Sequence, residues 1–244
     1  MLPPMRLLVA SLLGLCGCTG GTETGNPVVT GSLSYTGYSS APERFGVGRD
    51  AEVARIDSAW FNLAGVTVSA SGCGAPEGEG FEIAALGLGD HAAGNHNSTA
   101  FEASAGSFCN VELPFAPVAS DVAVGPERLR GHALLLEGTL ADGTPFSVLS
   151  DAAPSLPLQA EPGGFALSAG RADALVAFDF AVWLGSVSFE SATLDDGAIV
   201  ISATQNGDLL DQFENSLPAG VVLYRDEDAD GVVDPEPEEL ARVR

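Results

Sequence analysis

Residues 226–234 read Asp226-Glu227-Asp228-Ala229-Asp230-Gly231-Val232-Val233-Asp234. Carboxylates at the first, third, fifth and ninth places, with glycine at the sixth, suit a tight loop whose alternate side chains converge on one hard cation. Glycine permits the turn, and Val232 at the seventh place would lend its backbone carbonyl. The chemistry implied is oxygen coordination of calcium by Asp226, Asp228, Asp230, Val232 and Asp234. Pro237 occupies the twelfth place, where a bidentate glutamate would close such a loop, although Glu236 or Glu238 could substitute. The alternative is a solvated acidic tail, since eight of the fourteen residues 226–239 are acidic.

A second cluster holds Asp90, His91 and His96. Two imidazoles and a carboxylate could hold zinc for a metal-dependent hydrolase, but a histidine spacing of five is no ligand signature on any regular element. Gly87, Gly89 and Gly94 make a solvated surface loop the simpler expectation, and His132 beside Gly131 reads as structural. Covalent catalysis finds little support: no Gly-x-Ser-x-Gly elbow occurs, and without lysine no Ser-x-x-Lys motif exists. No catalytic residue is assigned, and the chain is expected not to be an enzyme. Trp60, Trp183, Tyr35 and Tyr38 could form the stacking platform of a carbohydrate-binding module. The two tryptophans lie in apolar runs, however, where a sandwich core is their usual place.

Charge narrows the partners. The 244 residues carry 33 acidic side chains against 10 arginines and no lysine, a formal charge of −23. Nucleic acid and anionic membrane surfaces both need a basic face, so neither is an expected partner. With 45% apolar residues, the sequence is too hydrophobic for a disordered acidic chain.

The N-terminus reads as an address. Arg6 precedes an apolar stretch at residues 7–15, which is too short to span a bilayer and is followed by Leu15-Cys16-Gly17-Cys18. These four residues resemble the bacterial lipobox. The resemblance implies a signal peptide over residues 1–17 and a lipid on Cys18. Residues 18–29 then form a flexible tether, whose GTETGNP segment is similar to that of lipoproteins from high-GC Gram-negative bacteria. Thr19 stands where enteric lipoproteins carry an inner-membrane retention aspartate, so the implied address is the outer membrane, with the chain touching the membrane through its lipid alone.

Removing the signal peptide leaves Cys73 and Cys109 as an isolated pair in an oxidising compartment, where a disulfide is the default and two buried thiols or a metal pair are the alternatives. Closing a loop of that length contributes roughly 3 to 5 kcal/mol.

Thirty glycines and 15 prolines punctuate short apolar runs, predicting a β-sandwich over residues 30–225 and an acidic segment over 226–244. The clearest hairpin spans residues 129–150, where Asp142-Gly143 reads as a two-residue turn joining LLLEGTL to PFSVLS. Two further hairpins are expected across Pro162-Gly163-Gly164 and Asp196-Gly197. The apolar run 174–184 reads as a buried strand. One short helix follows Asn206 or Asp208, with Leu209, Leu210, Phe213 and Leu217 on one face and Pro218 as its stop. The segments AWFNLAGVTVSASGCG, GSFCNVELPF, GHALLLEGTLADGTPF and VAFDFAVWL resemble a prealbumin-like or immunoglobulin-like domain family of unknown function found in bacterial lipoproteins. That resemblance covers most of residues 50–185 and implies an antiparallel β-sandwich at the cell envelope, with a structural, adhesive or glycan-binding role. The acidic loop, entered from a strand, looks more like the DxDxDG loops of dockerin-like or thrombospondin-type modules than a helix-flanked site.

Overall fold

The computed structural model describes residues 27–47, 54–71, 80–92, 97–122, 124–168, 170–234 and 236–244. Cys18, the segment read as a signal peptide and most of that read as a tether lie outside the described residues. Among those described, no helix is long and apolar enough to cross a membrane.

The first nine strands are β1 (Val28–Tyr38), β2 (Phe45–Val47), β3 (Ala54–Leu63), β4 (Val66–Ser69), β5 (Phe81–Ile83), β6 (Gly87–Asp90), β7 (Asn97–Ser104), β8 (Gly106–Phe108) and β9 (Asn110–Pro114). Next come β10 (Leu134–Thr139), β11 (Pro145–Ser150), β12 (Ser155–Gln159), β13 (Phe165–Leu167), β14 (Gly170–Arg171) and β15 (Ala174–Asp179), which runs into α1 (Phe180–Gly185). The chain closes with β16 (Leu194–Asp195), β17 (Ala198–Ile201), α2 (Gly207–Ser216), β18 (Val221–Arg225) and β19 (Glu239–Arg242).

The fold is mainly β and sandwich-like. The larger sheet has the order β14-β1-β15-β18-β19-β12-β9-β4-β5, with β7 also paired to β1. Because β5 lies beside β7, this sheet curls until it is nearly closed. The smaller sheet runs β16-β17-β11-β10-β3-β2, with β6 paired to the second half of β3. β8 and β13 form a separate ribbon. Pairing is mixed rather than purely antiparallel: β1 runs parallel to β14 and β15, β2 to β3, and β11 to β17. Parallel neighbours need long crossovers, and the segment between β1 and β15 supplies one that local turn signals do not reveal.

Between the sheets lies an aromatic core. Phe61 of β3 contacts the rings of Phe115, Phe178 and Trp183, and Trp183 in turn meets Phe180 and Phe213. Trp183 is fully buried and donates its indole N–H to the Leu217 carbonyl at 3.0 Å. Trp60 points the other way. It is half-buried in a satellite cluster with Val118, Leu129 and Leu135 on the outer face of the smaller sheet.

Several local expectations change. β1 begins at Val28, inside the stretch read as tether, because Val29 is fully buried beneath β7 and β14. Run 174–184 is a strand only as far as Asp179, whose carboxylate caps the following helix by accepting from the Ala181 N–H at 3.0 Å. Two α-helices therefore stand among the described residues, where one was expected. The hairpin of β10 and β11 forms, but its turn is a three-residue one: Leu140 N–H bonds to the Thr144 carbonyl at 2.8 Å, and Gly143 takes the left-handed conformation at φ 89°. No hairpin forms across Pro162-Gly163-Gly164, since β12 pairs with β9 and β19 while β13 pairs with β8. Asp196-Gly197 does turn a hairpin, between the short β16 and β17, with both residues at positive φ. Helix α2 carries its apolar face as expected, with Leu209, Leu210, Phe213 and Leu217 all buried. Asn206 stands at its N-cap, yet its side chain bonds to Thr193 and Val200 instead of the helix.

Candidate metal centre

Strand β18 delivers the acidic loop. Across β15 and β18, Ala174 opposes Arg225, which places Asp173 opposite Asp226, and the Asp226 N–H donates to the Asp173 carbonyl at 3.1 Å. Asp226 is thus the first residue beyond the ladder and is 3% exposed. From there the chain turns sharply: Ala229 and Gly231 take left-handed φ values of 59° and 70°. Glycine adopts this conformation freely, so the sixth place of the loop behaves as its residue type requires.

The turn gathers three carboxylates. Oxygens of Asp226, Asp228 and Asp230 lie within 4.8 Å of one another. Backbone N–H groups order them: Gly231 donates to Asp226 Oδ2 at 3.1 Å, Asp230 to Asp228 Oδ1 at 3.3 Å, and Val232 to Asp230 Oδ1 at 2.8 Å. The other oxygen of Asp226, Oδ1, is buried and has no hydrogen-bond partner. Burial pushes the Asp226 carboxyl above its ordinary range; the charges of Asp230 and Asp228 add to this, while the Gly231 N–H opposes it. A buried carboxylate oxygen without a donor is costly, and a cation among these three side chains would satisfy it.

Asp234 does not join: it is exposed and stands outside the group. Val232, expected to lend its backbone carbonyl, donates its N–H to Asp230. Glu238, one candidate for the missing twelfth ligand, instead pairs with Arg225 Nε at 2.7 Å. The donor set is oxygen only, which suits calcium or magnesium and not a soft metal.

The zinc alternative does not assemble around Asp90 and His91. The Asp90 carboxylate accepts the N–H groups of Ala59 and Ala92, each at 3.0 Å. His91 turns into the core, 1% exposed and stacked on Phe61 with ring centroids 4.0 Å apart. His96 lies outside the described residues. The proposed sugar-stacking residues are also occupied: Tyr35 and Trp183 are buried, Trp60 is half-covered, and Tyr38 packs with Tyr224. Cys109 is buried at the junction of β8 and β9, where its N–H bonds to Ser69 and the Asn110 side chain reaches the Ser71 carbonyl at 2.6 Å. Cys73 lies outside the described residues.

Asp173 was missed in the sequence. It is buried, and its carboxylate accepts the N–H and hydroxyl of Ser32 at 2.9 and 2.6 Å, which ties β1 to the base of the acidic loop. Its only local signal was a lone acid before an apolar run, a pattern also common in turns.

No family model matches the chain, and no curated protein or solved structure matches it.

Proposed function

We propose that the protein is a lipid-anchored component of the outer membrane whose β-sandwich body binds calcium and plays a non-enzymatic structural or adhesive role. Its partner would be an envelope protein or a glycan. The observation that carries the calcium reading is that Asp226, clustered with Asp228 and Asp230, has its Oδ1 buried without a donor. The address rests on the lipobox, with Cys18 as the lipidated residue. Cys73 pairs with Cys109 in this reading, because Ser71, two residues before Cys73, already lies against the Cys109–Asn110 segment.

Calcium bound to the native state alone should raise the melting temperature. At a free concentration near 100 times Kd the stabilisation is about 2.7 kcal/mol, which for a chain of this size means roughly 5 to 10 °C. The measurement is a thermal melt in millimolar calcium against one in chelator, repeated on Asp226→Asn. The native chain should shift and the variant should not. Equal melting temperatures for the native chain in both conditions would remove the calcium reading.

A further inference from the structure

We infer that the acidic loop is a cation-dependent lock on the C-terminal strand, and that this strand closes the larger sheet; the inference rests on the calcium reading above. Among the described residues, β19 is the ladder that joins the two halves of that sheet. One half is β14-β1-β15-β18 and the other is β12-β9-β4-β5. The joint is thin. β19 has four residues, it meets β12 at the single pair Gln159–Arg242, and its register against β18 slips between Leu223 and Tyr224. Short, weakly laddered strands open at low free-energy cost.

What holds β19 in register is the connection that precedes it, residues 226–238. Its base is pinned by Arg225, which donates its backbone N–H to the Glu238 carbonyl at 2.9 Å and its Nε to the Glu238 carboxylate. Its middle is pinned by Val233, which packs on Leu175, Val222 and Tyr224 across the outer face of the sheet. Its beginning is the carboxylate cluster. Without a cation, three mutually repelling carboxylates and one orphaned oxygen load this connection. With one, the same groups become its tightest fixed point. Leu240 then stays inserted beside Leu223, Val66 and Val111 in the apolar interior of the curled sheet.

Hydrogen exchange on the full chain, read by mass spectrometry in calcium and in chelator, tests the lock. With calcium at about 100 times Kd, amides of Glu239–Arg242 should exchange about 100-fold more slowly than in chelator. Amides of β10 and β11, in the core of the other sheet, should already exchange far more slowly than those of β19 in chelator, because they wait on global unfolding while β19 opens locally. Asp226→Asn should exchange at one rate, unaltered by calcium; Asp230→Asn, altered at an exposed ligand, gives the same reading if the buried substitution perturbs folding. Bound calcium, shown by the melting shift, together with unchanged exchange at β19 would overturn the lock and leave the calcium site standing. Absence of any melting shift would overturn both.

Discussion

His91→Phe is expected to stabilise the protein, and its advantage should widen as the solution is acidified. His91 is stacked on Phe61 inside the sandwich, with both ring nitrogens buried and neither in a well-formed hydrogen bond. Leaving such groups unsatisfied costs about 1 to 3 kcal/mol, and a phenyl ring keeps the stacking without the polar atoms. Burial also pushes the imidazole pKa down from 6.5 to about 3, an effect that the Tyr35 backbone offsets only in part. The sign follows from proton binding. Between these two values the unfolded chain takes up a proton that the folded chain refuses. Stability from this group is therefore complete above 6.5 and is lost as the pH falls toward 3. From about pH 7 to pH 4 the native protein should lose roughly 3 kcal/mol more than the variant. Urea unfolding at a series of pH values measures the difference, and parallel curves for the two proteins would mean that the imidazole is solvated.

Trp183→Ala should produce the largest loss at neutral pH. The indole is fully buried, touches the rings of Phe61, Phe178, Phe180 and Phe213, and satisfies the Leu217 carbonyl at the end of α2. Gly220 lies directly beneath it: a Cβ there would come within 2.4 Å of the indole. The pocket is thus shaped around this one ring and has little freedom to collapse. Removing a buried tryptophan costs about 3 to 5 kcal/mol from the cavity alone; the lost indole hydrogen bond adds about 1 kcal/mol, although the Leu217 carbonyl keeps the Gly220 N–H at 3.3 Å. Against a total of about 5 to 15 kcal/mol for a domain, the urea midpoint should fall by a third or more. Trp183→Phe should recover part of the loss. A midpoint within experimental error of the native one would contradict the packing described.

What could be read in the sequence was local. The β10–β11 hairpin, the apolar face of α2 and the Asp-x-Asp-x-Asp-Gly spacing are each set by neighbours within a few residues, where turn chemistry and periodicity speak directly. Run 174–184 was harder, because strand and helix bury the same residues; the deciding group was Asp179, a helix cap set within an apolar run. The parallel pairing of β1 with β15 and the insertion of β19 between β18 and β12 depend on register across distant segments, which no local signal encodes. The same holds at the site. Spacing identified Asp226, Asp228 and Asp230 as one group, but the burial of Asp226 comes from Asp173 across the sheet. His91 shows the converse: glycines on either side suggested a solvated loop, while backbone bonds to Ala59 and Gly37 just beyond β6 hold the residue where its ring enters the core.

A calcium site at Asp226, Asp228 and Asp230 should be visible as heat when calcium is titrated into the full chain by calorimetry, alongside Asp226→Asn. One saturable site per chain is expected, with Kd within about 10⁻⁶ to 10⁻³ M, and its loss in the variant. Heat no greater than that of dilution, or equal binding by the variant, would contradict it.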